Sequence, residues 1–129
     1  MANQVQLQKE QEGQFTLEGQ KKYYLATVDE SQLFSISNYL SSIISIHREK
    51  EGLALIFEEE ILDIIRQFTT ATVKGPFALV TVSVGSGISA IALLSKKKID
   101  CNLVSSYNHN YLFVSYEQKD DAIVALKNL

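Results

Sequence analysis

Hydrophobic patterning along the chain centres on the stretch from Phe77 to Tyr116. Phe77-Ala78-Leu79-Val80-Thr81-Val82-Ser83-Val84 places apolar side chains on both faces, the pattern of an interior strand covered on both sides. The turn Gly85-Ser86-Gly87 follows, then a short helix to Lys98, a strand from Cys101 to Tyr107, the polar turn Asn108-His109-Asn110 and a strand from Tyr111 to Tyr116. In the helix, Ile88, Ile91, Ala92 and Ser95 share one face and Ser89, Leu93 and Lys96 the other, which leaves Leu93 without a place in the core. Asp120-Asp121 opens a closing amphipathic helix with Ala122, Ala125, Leu126 and Leu129 at i, i+3, i+4 and i+7.

Upstream the order recurs. Tyr23-Tyr24-Leu25-Ala26-Thr27-Val28 is aromatic and β-branched and ends in Asp29-Glu30, a strand signature. A short irregular polar connection through Asn38 leads to Ile43-Ile44-Ser45-Ile46-His47, and Arg48 to Gly52 joins this run to Leu53-Ala54-Leu55-Ile56-Phe57 as a hairpin. Ile61, Leu62, Ile65 and Phe68 then form one helical stripe. A short strand at Thr70 to Val73 and a turn at Lys74-Gly75-Pro76 complete the link to Phe77, since proline sets its own φ and glycine supplies freedom before it. A strand, a crossover and two hairpin-joined strands with helices on the sheet make a ferredoxin-like arrangement. The expected architecture is α+β: two related halves of βαββα pattern in an antiparallel sheet with packed helices. Residues 21–73 form the first half and residues 74–129 the second, in one compact body.

Residues 1–20 are glutamine-rich, with Val5, Leu7, Phe15 and Leu17 as the sizeable apolar side chains after Met1, too few to anchor a core element. They read as a weak helix or a frayed arm, clasping the body or a second subunit through Phe15 and Leu17.

Composition narrows the function. With 129 residues, 46% of them hydrophobic, the chain can bury a substantial core. A net charge of -3 with mixed signs along the chain argues against a nucleic-acid groove, which needs clustered Lys and Arg. The basic run Lys96-Lys97-Lys98 sits at a predicted helix C-terminus, where it offsets the dipole. Glu58-Glu59-Glu60 complements a helix N-terminus, and consecutive residues that point in different directions make a poor metal cluster. The lone cysteine, Cys101, among apolar neighbours, reads as core packing. The absence of a long apolar run or an apolar signal core points to the cytoplasm and to no membrane partner.

Candidate chemistry is sparse. Gly85-Ser86-Gly87, between a central strand and a helix, reads equally as a turn with a serine N-cap or as a loop whose amides hold a carboxylate. His109 lies in the hairpin turn between Tyr107 and Tyr111, with no neighbouring ligand set for a metal. His47, followed by Arg48, is its counterpart near the other hairpin, and nothing supplies a positioned nucleophile. The expectation is a protein without catalysis, metal or cofactor.

Two strings carry a resemblance. His47-Arg48-Glu49-Lys50-Glu51-Gly52-Leu53-Ala54-Leu55-Ile56 and Asn102-Leu103-Val104-Ser105-Ser106-Tyr107-Asn108-His109-Asn110-Tyr111-Leu112-Phe113-Val114 resemble the hairpins of small bacterial tandem ACT-domain proteins, a family of uncharacterised regulators. Ser106 stands where that family has Gly, Asn110 and Tyr111 where it has Asp and His, and the loop after Val84 is shorter. The resemblance, over residues 22 to 129, implies two ACT-like halves similar to the amino-acid-sensing domains of aspartate kinases. It also implies a non-enzymatic regulatory module that binds a small molecule, an amino acid first, where halves or subunits meet. The candidate contacts are Gly85, Ser86, Gly87, Ile88, Asn102, Tyr107 and His109. The alternative is a structural or protein-interaction module that oligomerises without a small ligand. A homodimer is expected on either reading, with Leu93, Phe15 and Leu17 as its apolar contacts.

Overall fold

The computed structural model describes residues 15–17, 19–69 and 71–129. Its strands are β1 (Phe15–Leu17), β2 (Tyr23–Val28), β3 (Ile43–Glu49), β4 (Gly52–Glu58), β5 (Lys74–Val82), β6 (Cys101–Ser105) and β7 (Asn110–Ser115). Its helices are α1 (Leu33–Ile36), α2 (Leu62–Arg66), α3 (Gly87–Lys96) and α4 (Lys119–Leu126), with 3-10 turns at Glu30–Gln32, Ser37–Ser42, Glu59–Ile61 and Tyr116–Gln118. The fold is α+β, with antiparallel strand pairing and helices packed on the strands. It divides into two units, Lys21–Pro76 and the described residues through Gln20 together with Phe77–Leu129.

In the Lys21–Pro76 unit, β4 lies between β3 and β2. The period of two along a strand puts Ala26 and Val28 on the same face as Leu53, Leu55 and Phe57, where Ile36, Ile61 and Ile65 close over them. The connection after β2 corrects the expectation of a short irregular link: Glu30–Ser42 winds as 3-10 and α turns. Ile36 of α1 and Tyr39 of the 3-10 turn that follows pack on the core. Asp29 starts the run, its carboxylate accepting from the Ser31 amide (2.9 Å) and hydroxyl. Gly52, at φ +141°, opens β4 at a point where a Cβ would run into the Val28 carbonyl.

Two local expectations fail before β5. Residues 71–73 are not strand, and Thr70 lies outside the described residues. Lys74-Gly75-Pro76 begins β5 instead of turning. Gly75 has φ +137°, and a Cβ there would sit 2.9 Å from the Tyr23 carbonyl oxygen and against the Tyr24 ring, so glycine is required by close approach within an extended segment.

In the other unit β5 is interior, flanked by β7 over Phe77–Val82 and by β1 over Val80–Val82. Ala78, Val80 and Val82 share a core with Leu112 and Val114 of β7, Ala90 and Leu94 of α3, and Ala122, Ala125 and Leu126 of α4. Leu79 and Phe113, which point to the opposite face, are also buried, so β5 is covered on both sides as its composition predicts. Where the arm is described, its conformation is strand and not the weak helix or frayed arm expected, while Phe15 and Leu17 clasp the body. Phe15–Leu17 pairs with β5 as a strand, and Phe15 and Leu17 pack on this core; residues 1–14 lie outside the described residues. The face of α3 is corrected as well: Gly87, Ala90 and Leu94 are buried, Leu93 is half-buried and Ile88 is 84% exposed. Apolar residues nearly encircle this helix, so spacing alone did not select the stripe; Gly87 lies against Asn110 of β7, and Ala90 is buried in the core.

Candidate functional site

The loop that leaves β5 is held from one side by a single amide. Asn110, 7% exposed at the start of β7, donates its Nδ2 hydrogens to the carbonyls of Ser83 (3.3 Å) and Val84 (3.2 Å). A Cβ on Gly87 would stand 3.0 Å from that Nδ2, so glycine at this position is what lets the Asn110 amide reach under the loop. Ser83 and Ser86 finish the turn: the Ser86 amide donates to the Ser83 carbonyl (3.0 Å) and their hydroxyl oxygens lie 2.8 Å apart. Ser86 stands at the N-cap position of α3 with no side-chain cap bond to the helix, a correction to the reading of it as a capping serine.

Across the loop the β6–β7 hairpin closes through the Ser106 amide donating to the His109 carbonyl (2.9 Å). The tip is therefore Tyr107-Asn108, starting one residue earlier and ending two earlier than the Asn108-His109-Asn110 turn expected from polarity, and Asn110 belongs to the strand, opposite Ser105. Its burial accounts for the difference, since a polar residue at a strand end satisfies the loop carbonyls that would otherwise go unpaired.

Between these parts lies a cavity of about 360 Å³ lined by Phe15, Thr16, Thr81, Val82, Ser83, Val84, Asn108 and His109. Its polar walls are hydroxyls, an amide and an imidazole, beside apolar Phe15, Val82 and Val84; among the described residues no carboxylate or amine side chain lines it. The His109 ring lies 6.0 Å from that of Tyr111, tilted by 54°. Such a lining suits a small molecule of no net charge, held by hydrogen bonds on one side and apolar contact on the other.

Of the residues singled out from the sequence, His109 lines this cavity. Ser86 and Gly87 support the loop behind it, and Gly85 is exposed in that loop. Ile88 and Tyr107 point to solvent, at 84% and 94% exposure, and Asn102 is exposed on β6 opposite Phe113. Sequence reasoning passed over Thr81, Ser83, Asn108 and Asn110, of which Ser83 carried a signal as the first polar residue ending an apolar strand. Phe15 and Thr16 carried none, because their neighbours are reached only through β1–β5 pairing.

The other chemistry-bearing side chains are engaged separately. Glu58 pairs with Lys21 (3.3 Å), while Glu59 accepts from the Tyr24 hydroxyl (3.1 Å). Burial, and then the Glu59 carboxylate, push the Tyr24 phenol up. His47 Nδ1 lies 2.8 Å from the Ser45 hydroxyl. Burial, reinforced by the Asp100 carboxylate, pushes the Cys101 thiol up, the direction that suppresses nucleophilic thiolate. Among the described residues no three His, Cys, Asp or Glu side chains gather as a metal set, and no helix is long and apolar enough to cross a membrane.

These features define an ACT-like fold of ferredoxin type. The chain is similar, over 89% of its length and 88% of the other's, to a protein of unknown function from Vibrio cholerae, regarded as a possible transport protein, at 27% identity and a TM-score of 0.72. It is also similar to the regulatory subunit of aspartate kinase from Thermus thermophilus, at 8% identity and a TM-score of 0.64, covering 89% of this chain and 95% of that one. A domain from Porphyromonas gingivalis assigned as the C-terminal regulatory domain of an aspartate kinase matches at 16% identity and a TM-score of 0.62, over 88% of this chain and 95% of the other. No protein-family model and no curated protein matches the sequence.

Proposed function

We propose that this protein is a non-enzymatic regulatory module that works in the cytoplasm and binds an amino acid in the cavity at the end of β5. The observation that carries this reading is the uncharged lining of hydroxyl, amide and imidazole groups on a fold that aspartate kinases use for regulation. A zwitterion brings both charges with it and needs neutral donors and acceptors, which Ser83, Thr81, Asn108 and His109 supply. A thermal-shift screen of the twenty amino acids is the test. A ligand at 100 times its Kd adds about 2.7 kcal/mol, a rise of roughly 10 °C for a chain of this size. His109→Ala should remove the shift while leaving the unliganded midpoint unchanged. A flat response to all twenty sinks the reading.

A second reading, an interaction module that oligomerises without a small ligand, is favoured by apolar side chains left in solvent on the same unit. Val84 is 55% exposed, Ile88 84% and Tyr107 94%. The original candidate on α3, Leu93, is half-buried, so Ile88 takes its place as the contact. Sedimentation velocity at micromolar concentration should show a dimer that Ile88→Lys converts to monomer. A wild-type monomer removes this reading.

A further inference from the structure

We infer that the Lys21–Pro76 unit carries a second small-molecule site, acidic where the first is uncharged, that takes a primary ammonium group on a short hydrocarbon body. A cavity of about 580 Å³ opens there, lined by Thr27, Val28, Asp29, Gln32, Glu51, Phe68, Thr69 and Ala71. Its size falls in the ordinary range for ligand pockets. Thr27 and Val28 end β2, Asp29 and Gln32 come from the turn that follows, Glu51 sits in the tip of the β3–β4 hairpin, and Phe68, Thr69 and Ala71 follow α2. Within its own unit this is the place the first cavity holds in the other: the C-terminal end of a central strand, β2 here and β5 there, beside the tip of the unit's hairpin.

The walls are built and not incidental. The Thr69 hydroxyl donates to the Thr27 carbonyl and accepts from the Ala71 amide (3.2 Å), which pins the segment after α2 to the end of β2. The Asp29 carboxylate is oriented by the Ser31 amide and hydroxyl, and those same bonds hold it below the usual carboxylate range, so it stays anionic. Glu51 adds a second carboxylate, no Lys or Arg among the described residues lines the cavity, and Phe68 and Val28 give it an apolar side. A free carboxylate in the ligand would be repelled by Asp29 and Glu51, whereas an ammonium group is attracted by both. A divalent metal is the poorer occupant, because no three ligating side chains gather among the described residues and the Phe68 wall offers a hard cation nothing. An alkylammonium uses both the carboxylates and the apolar side.

The probe is n-pentylamine, followed by amide chemical shifts of the full chain, with n-pentanol and Ca²⁺ as comparisons. The amine should shift Thr27, Gln32, Glu51 and Thr69, and its affinity should fall with added salt. Glu51→Gln, at an exposed hairpin tip, should weaken it about threefold to fivefold, the size expected of an ion pair open to solvent. Adding Asp29→Asn, which keeps a side-chain oxygen for the Ser31 bonds, should abolish binding, and His109→Ala should leave it unchanged. No shifts with the amine, equal shifts with pentanol, tighter binding of Ca²⁺ at the same residues, or indifference to the double substitution would overturn the inference. Each outcome is read at Thr27 and Thr69, so it stands apart from the fate of the amino-acid cavity.

Discussion

Val80→Asp leaves the chain unfolded at 25 °C. Val80 is fully buried in the interior strand β5, opposite Leu112 on β7 and Leu17 on β1. Its side chain enters the core that α3 and α4 close with Ala90, Leu94 and Leu126, and no cationic side chain is buried among the described residues. An aspartate there either ionises without a partner or takes up a proton and still lacks hydrogen bonds. Either way the cost is several kcal/mol, on top of the lost apolar contacts of valine. Domains of this size have about 5–15 kcal/mol in total. Asn102→Asp, on the exposed side of β6, is the matched control and should fold normally. Far-ultraviolet circular dichroism and a urea titration decide the matter, and a Val80→Asp variant with a native transition would remove β5 from the centre of this fold.

Asn110→Asp should destabilise the protein by about 3 kcal/mol at neutral pH, because a buried donor is replaced by a charged acceptor. Asn110 supplies the hydrogens that the Ser83 and Val84 carbonyls accept, and a carboxylate would turn its own oxygens on them. The pH dependence follows from where the new proton is held. Burial and the two facing carbonyls favour the protonated acid in the folded state, so its pKa there lies above the unfolded value of about 4. The folded state then retains a proton that the unfolded state has released, and stability falls as pH rises between the two values. The gap to wild type should therefore be smallest below about pH 4 and widen toward neutrality. Urea midpoints at pH 3.5 and pH 7 give the check, and a deficit independent of pH would show that the loop carbonyls have another donor. The same substitution should weaken any ligand of the β5 cavity, since Ser83 and Val84 are two of its walls.

The sequence by itself determined the type and order of most elements. β5 announces itself by apolar residues on both faces, the β3–β4 hairpin by a charged turn ending in Gly52, and α4 by its Ala122, Ala125, Leu126 stripe. All of these are signals within a dozen residues, set by side-chain periodicity and by the φ that a turn demands. The resemblance in the two hairpins pointed to the same ACT-like arrangement that the strand pairings display.

Tertiary structure decided what depends on partners far along the chain. Phe15 and Leu17 become strand because Val82 and Val80 offer them an open edge of β5. Lys74-Gly75-Pro76 extends where its composition suggests a turn, because Gly75 makes room for Tyr24. Which stripe of α3 is buried was a choice among nearly equivalent apolar faces, and it placed Gly87 against Asn110 and Ala90 in the core. Asn110 looked like a turn residue and is the loop's internal donor, with acceptors 27 and 26 positions earlier. A hydrophobic period is a local property that survives any rearrangement of the rest of the chain. A cavity wall or a buried hydrogen bond exists only once distant segments are brought together, and that is why the elements were legible and the site largely was not.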